Sequence, residues 1–310
     1  MCPKCHCTYP PQTSLGDSTA KYPLHCTNCP TPSLGECGQP LLRCDKSNQE
    51  SSKPIKPFGY HSFHNYLASL LSIKDPEEVM DKVCDELKGL VKGSLPDFVS
   101  DVWGVEFLKL FKGSTPGIFV IDRDNEGHYL FSLNIDFFNI EGRCIHGHTT
   151  SCGLISMVCL NLPPHLCYKL EYMYVTGIIP GLNQPKEMEL NHYIRPLVDD
   201  MENSWTKGVK YSMTASFPNG QTTHSTITIA VMDLLAAHHT SQPAGHGTHI
   251  YCTICQCCHK ETLGRVNHHN WELQDNEKIC QHAEEWREAV TIKDCVSIFD
   301  KHGTHYSELW

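Results

Sequence analysis

Tyr129-Leu-Phe-Ser-Leu-Asn-Ile-Asp-Phe-Phe138 is an apolar run with one carboxylate, Asp136, set inside it. A second such run, Ile227-Thr-Ile-Ala-Val-Met-Asp233, closes on another carboxylate. Both have the length and the β-branched and aromatic content of strands. A carboxylate in a buried strand is costly unless it meets a cation or a partner. The reading of the chain therefore turns on whether Asp136 and Asp233 come together.

Working outward, Ile118-Phe-Val-Ile121 followed by Asp122-Arg-Asp-Asn-Glu-Gly127 predicts a hairpin into the first run. Gly153-Leu-Ile-Ser-Met-Val-Cys-Leu160 and Tyr172-Met-Tyr-Val-Thr-Gly-Ile-Ile179, each ended by proline, predict two further strands. From Glu187 to Lys207, one helical face carries Leu190, Tyr193, Ile194, Leu197, Val198, Met201 and Trp205, and the pattern stops before Gly208, as in a crossover helix. The strand ending at Asp233 is then expected to pair in parallel with the first. The fold class expected is α/β, with three strands, a helix and a strand in the order of a ribonuclease-H-like core. Such a core brings two aspartates to neighbouring strand ends, where magnesium suits a carboxylate pair. The plainer alternative has Asp136 facing solvent at a strand end and Asp233 capping the next segment.

Around this core, residues 62–90 show helical spacing broken at Asp75-Pro76, which predicts two helices. Residues 97–112, with Phe98, Val102, Trp103, Phe107 and Leu110, continue the helical pattern, residues 236–249 read as loop, and residues 278–299 as helix. The expected division is a zinc-binding module with linker at 1–57, a helical segment at 58–115, the partial ribonuclease-H-like core at 116–240, and a Cys/His zinc cluster with a helical segment at 241–310. Asp45 to Pro54 is polar and reads as the linker.

The 310 residues carry a formal charge of -10, which argues against a general nucleic-acid binder and restricts any DNA contact to a local surface. Eighteen cysteines and twenty histidines, grouped at short spacings, point to metal sites. No secretory signal opens the sequence at Met1-Cys-Pro-Lys-Cys5, and no apolar stretch has the length of a membrane span. An intracellular, reducing location is expected, where thiols hold zinc more often than they pair.

Cys2-x-x-Cys5 and Cys26-x-x-Cys29 have the spacing of a structural zinc site, with Cys7, Cys37 and Cys44 as further candidates. Cys37, followed by glycine, can form the second knuckle in place of Cys29. Residues 1–57 lack a helical or alternating apolar period, so metal must replace a core there. A second zinc site is expected from Cys252 and Cys255 completed by Cys258, His259 or His249. The cluster lacks a His-Glu-x-x-His helix, so structural zinc is preferred to catalytic zinc. No Walker loop, dinucleotide fingerprint or nucleophile elbow is present.

Several ordered stretches resemble one family. They are Cys2-Pro-Lys-Cys5-His6, Cys37-Gly-Gln-Pro-Leu-Leu42, Asp136-Phe-Phe-Asn-Ile-Glu-Gly142, Cys159-Leu-Asn-Leu-Pro-Pro164, Ile178-Ile-Pro-Gly181, Leu190-Asn-His-Tyr-Ile-Arg-Pro-Leu-Val-Asp199, Asp233-Leu-Leu-Ala-Ala237 and Tyr251-Cys-Thr-Ile-Cys255. Together they resemble the transposase of CACTA (En/Spm-type) DNA transposons, above all the basidiomycete fungal branch. The resemblance implies a DDE-type enzyme of the nucleus that acts on transposon ends, with Asp136 and Asp233 as the first two catalytic carboxylates, magnesium as catalytic metal and zinc as structural metal. No membrane partner is expected, since no apolar stretch spans a bilayer, and a homo-oligomer is admitted. The family pattern has proline where Ile140 and Leu235 stand, and it places an Asp-x-x-His motif and the catalytic glutamate beyond Trp310. Glu284, Glu285 and Glu288 do not match that motif, so the expectation is a truncated, catalytically defective copy. A non-catalytic zinc-dependent DNA- or protein-binding module, or a purely structural zinc protein, are the alternatives.

Overall fold

The structure, a computed structural model, describes residues 1–12, 21–43, 53–90, 101–114, 116–139, 151–181, 184–243, 250, 252, 254–258, 264 and 266–310. Its centre is a five-stranded sheet made of β3 (Gly127–Asn139), β4 (Ser151–Cys159), β5 (Tyr174–Ile179), β6 (Val209–Tyr211) and β7 (Gln221–Ala230), in the spatial order β5-β4-β3-β7-β6. Leu42–Arg43 (β1) and Lys53–Pro54 (β2) pair as a separate small ribbon, so the end of the expected linker is structured. The helices are α1 (Phe63–Leu71), α2 (Lys74–Leu90), the short α3 (Glu106–Lys109) and α4 (Pro164–Cys167), α5 (Glu187–Thr206), α6 (Leu234–Ser241), α7 (Asn276–Glu288) and α8 (Ile292–His302).

β3 is the middle strand, antiparallel to β4 and parallel to β7. Tyr129, Leu130, Phe131, Leu133 and Ile135 are wholly excluded from solvent, as in a strand covered on both faces. Its alternating side chains serve two cores. Tyr129, Phe131, Leu133 and Ile135 join Leu67 and Leu70 of α1 and Leu190, Tyr193, Ile194 and Leu197 of α5. Leu130 joins Trp103, Leu108, Phe119, Val120, Leu160 and the α2 residues Cys84 and Leu87.

Three strands, a helix and a parallel strand follow one another, with the short antiparallel β6 inserted before the last, and the fold is mixed α/β. Five local expectations are corrected. Residues 118–121 form a turn whose Ile118 bridges Lys112, and β3 finds its antiparallel partner in β4 instead. Residues 101–110 form a single 3-10 turn and the four-residue α3, with Phe107 and Leu110 exposed, so the apolar spacing there does not mark one long buried face. β7 ends at Ala230, before Asp233, and the stretch read as loop contains α6, whose weak amphipathic pattern hides its helical period. The C-terminal helical stretch is divided by the Thr291–Asp294 capping box into α7 and α8.

Helix α5 organises what surrounds the sheet. Ser62 precedes α1 but makes no side-chain cap, and Asp200 of α5 takes over that task. Asp200 Oδ2 accepts from the Phe63 backbone N–H at 2.9 Å, the Ser62 hydroxyl at 3.1 Å and the Tyr60 hydroxyl at 2.7 Å. Pro196 lies inside α5 and, having no N–H, leaves the His192 carbonyl without its helical donor. The Thr8 hydroxyl donates to that carbonyl at 2.8 Å, and the Tyr193 hydroxyl meets His6 Nδ1 at 2.7 Å, which docks the amino-terminal residues on the helix. The last residues dock on the same helix through both ends of the Asn191 amide and an Arg195–Glu308 ion pair.

Replacing Asp200 by alanine removes a partly buried charged acceptor shared by three donors. The expected loss is about 2–3 kcal/mol, seen as a lower urea midpoint at unchanged slope. A loss under about 0.5 kcal/mol would show that α1 does not depend on this cap in trans.

Candidate active site and metal centres

Asp136 and Asp233 are both exposed, which corrects the expectation of buried carboxylates. Asp136 lies on the β3 face opposite Ile135, near the strand's end and beyond its last pairing with β7. Its side chain has no hydrogen-bond or ion-pair partner among the described residues. Asp233 is extended, with φ -67° and ψ 164°, and caps α6 by accepting from the Ala236 N–H at 2.7 Å. The plainer alternative is therefore correct in its description of both local environments.

The ladder leading to these residues shows how they are related. Its last pair is Leu133 with Ala230, after which the Val231 N–H donates to the Leu133 carbonyl at 2.8 Å. Asn134 Nδ2 then donates to the Val231 carbonyl across a sequence separation of 97, and Asp136 and Asp233 have that same separation. Upstream the offset is one residue smaller, because His128 pairs with His224 and the register shifts between Phe131 and Ser132. Without this bulge the residue level with Asp136 would be Met232, which packs on the apolar core. An extra residue in one strand re-aims everything that follows it.

Cys2, Cys5, Cys26 and Cys37 offer four sulfurs that lie within 4.8 Å of one another. Cys2 Sγ is 3.8 Å from Cys37 Sγ and Cys5 Sγ is 3.5 Å from Cys26 Sγ. A tetrahedral zinc–thiolate site has sulfur–sulfur edges of about 3.8 Å. The first knuckle is built locally, since the Lys4 and Cys5 N–H groups donate to Cys2 Sγ and His6 takes a left-handed φ of 59°. The second is closed by a loop in which the Cys37 N–H donates to the Asn28 carbonyl and Gly38, at φ 64°, turns the chain back to the Cys26 carbonyl. Cys29, expected as a ligand, is exposed and turns away to the carbonyls of Thr31 and Leu34. Its spacing from Cys26 matches a knuckle, but the loop to Gly38 selects Cys37. Cys44 lies outside the described residues.

Packing four thiols together disfavours their ionisation in the absence of a cation. Burial raises the Cys2 and Cys5 thiols. Burial also pushes on Cys26, but donation from the Tyr9 hydroxyl at 3.2 Å, the Asn28 N–H and the neighbouring thiols outweigh it, and Cys26 falls below the usual thiol value. Four thiols gathered in this way can bind a metal, whose charge would stabilise them as thiolates.

In the C-terminal cluster, Cys252 Sγ is 3.1 Å from Cys255 Sγ, which is 3.4 Å from Cys257 Sγ. Cys258, one of the three candidates to complete this site, forms a backbone bridge with Ile250. His249 and His259 lie outside the described residues. Gln274 Nε2 ties down the Cys252 and Cys255 carbonyls, and burial pushes the Cys255 thiol up to about 12.

Two groupings escaped the sequence reading. His282, Glu285 and His302 converge between α7 and α8, and Glu126, His128 and His224 converge at the start of β3. The second was hidden because the pairing of His128 with His224 depends on the β3–β7 register, which apolar patterning alone does not specify.

No helix among the described residues is long and apolar enough to cross a membrane. No curated protein matches the chain. The sequence profile described as transposase family tnp2 matches residues 125–291, from the turn before β3 to the cap of α8. That span covers a little over half of the chain and includes both aspartates, the crossover helix and the C-terminal cysteines. The chain therefore belongs to transposase family tnp2.

Proposed function

We propose that the chain is derived from a CACTA-type transposase of the fungal branch and supplies two of the carboxylates of its metal-dependent DNA strand cleavage and transfer, on a ribonuclease-H-like core, at transposon ends in the nucleus. The observation that carries this reading is the shared offset of Asp136 and Asp233, which follows from the bulge in the β3–β7 ladder. Exposure supports it, because a duplex can reach carboxylates only at an open sheet end. Asp136 has both oxygens available and Asp233 has one beyond its cap, an all-oxygen donor set that suits magnesium. Bound magnesium would supply activation of water for cleavage and of the freed 3′-hydroxyl for transfer. The chain's own part is to present two carboxylates, Asp136 near the end of β3 and Asp233 at the cap of α6 just beyond the end of β7. No third carboxylate is assigned among the described residues. On α7, Glu284 pairs with Arg287, and Glu285 is held by His282 and Gln281.

A second reading, a non-catalytic zinc-dependent DNA- or protein-binding module, is favoured by the use of Asp233 as a helix cap. Zinc is the metal assigned to the four-cysteine cluster, since soft thiolates at tetrahedral spacing select it.

Magnesium- or manganese-dependent nicking of transposon-end DNA separates the two readings. Asp136→Asn and Asp233→Asn should each lower it at least 100-fold, and Asp233→Asn should keep α6 capped because an asparagine oxygen can still accept from Ala236. DNA binding with no metal-dependent cleavage by the unmodified chain would instead establish the binding module.

Cys37→Ser should lose one zinc per chain by mass spectrometry and unfold the amino-terminal residues, whereas Cys29→Ser should keep its full zinc content. Equal loss from both variants would contradict the selection of Cys37.

A further inference from the structure

We propose that Glu126, His128 and His224 form a binding site for a divalent transition metal of the zinc type, separate from the aspartate pair and from the cysteine clusters. Glu126 and His128 are two residues apart and share one face of the chain as it enters β3, and His224 is the direct cross-strand partner of His128 on β7. One ligand atom from each of the three lies within 4.8 Å of the other two. His224 Nε2 is 3.2 Å from Glu126 Oε2, and the two imidazole rings meet edge to face with centroids 5.2 Å apart.

The protonation of the rings can be argued from their outer partners. His128 Nδ1 meets the Phe119 carbonyl, and His224 Nδ1 lies 3.4 Å from the Trp205 carbonyl. A carbonyl only accepts, so each Nδ1 carries the proton, and in a neutral ring the lone pair is then on Nε2. Metal-ligating histidines are held in this way by an outer carbonyl. His128 is only 7% exposed. Two imidazole lone pairs and a carboxylate gathered at one point repel unless a cation lies among them. The cation is either an extra proton on His224 or a metal.

The surroundings favour the metal. Gly208, at φ 69°, approaches His224 so closely that a Cβ there would come within 2.7 Å of Nε2, so only glycine leaves this side of the ring open. The three residues border a cavity of about 520 Å³ that also includes Lys88 and Arg123. Three protein ligands beside an open cavity leave a coordination position for water or an anion. Imidazole and carboxylate together suit zinc and its first-row neighbours rather than magnesium. Asp136 lies eight residues further along β3, about 26 Å at strand rise, so this site cannot share an ion with the aspartate pair.

The test uses the full chain loaded with cobalt(II) and, separately, zinc. Metal per chain is counted by mass spectrometry, and the near-ultraviolet thiolate-to-cobalt band reports the cysteine sites alone. Glu126→Gln, at a half-exposed position, and His224→Asn should each remove one metal per chain while leaving the thiolate band and the circular dichroism unchanged. In the unmodified chain, cobalt should broaden the imidazole signals of both His128 and His224, a readout independent of any variant. Unchanged metal content in Glu126→Gln, with sharp His128 and His224 signals, would show a proton-bridged ion pair and overturn the metal site.

Discussion

The parallel pairing of β3 with β7 is the constraint on which the rest of the molecule depends. The two strands are nearly a hundred residues apart in sequence, so the entropy of closing that loop must be met by what the closure buries. The compensation is visible in the wholly buried Tyr129, Leu130, Phe131, Leu133 and Ile135 and in the α5 face that the crossover lays over them. Because side chains alternate, a slip of one residue would turn every side chain of β7 to the other face. The bulge after Phe131 is a built-in slip of this kind. Upstream of it His128 is level with His224, and downstream of it the aspartates share one offset, so a single irregularity sets both ends of the ladder.

Helix α5 couples that ladder to parts of the chain that have little core of their own. The amino-terminal residues contribute a small cluster of Cys2, Cys26 and Leu41, too few apolar groups to fold on burial alone. They gain order from two sources of different kind, the four-sulfur cluster and the polar edge of α5 around His192 and Tyr193. A proline in a helix interior ordinarily costs stability. Here the carbonyl freed by Pro196 becomes the acceptor for Thr8, so the defect in one element is the attachment point of another.

Much of this was legible in the sequence, and the failures have identifiable causes. The apolar runs of β3, β4 and β5 and the periodic face of α5 declare themselves, because each buries a continuous surface and its period survives in the residues. Helix α6 does not, since Leu234 and Leu235 are exposed and its buried residues include His238 and Thr240. The cysteine spacing located the amino-terminal four-sulfur cluster but not its fourth member. Spacing favours Cys29, which completes a Cys-x-x-Cys knuckle with Cys26, and the left-handed turn at Gly38 brings in Cys37 instead. The Glu126–His128–His224 grouping was illegible for a deeper reason, because no local pattern records a register set by a bulge.

The exposure of the two aspartates bears on how such a site can work. A buried carboxylate pair would need its cation for stability and would be closed to a polymer. An exposed pair is cheap to keep ionised, and its attraction for a divalent ion is correspondingly weak in the absence of further oxygen ligands. Phosphate oxygens of bound DNA are ligands of the required kind. On the proposed reading, metal and DNA are therefore expected to assist each other's binding. A chain with a formal charge of -10 repels a polyanion overall, so a cation held at the aspartates would also reverse the sign of the field where the phosphates must approach.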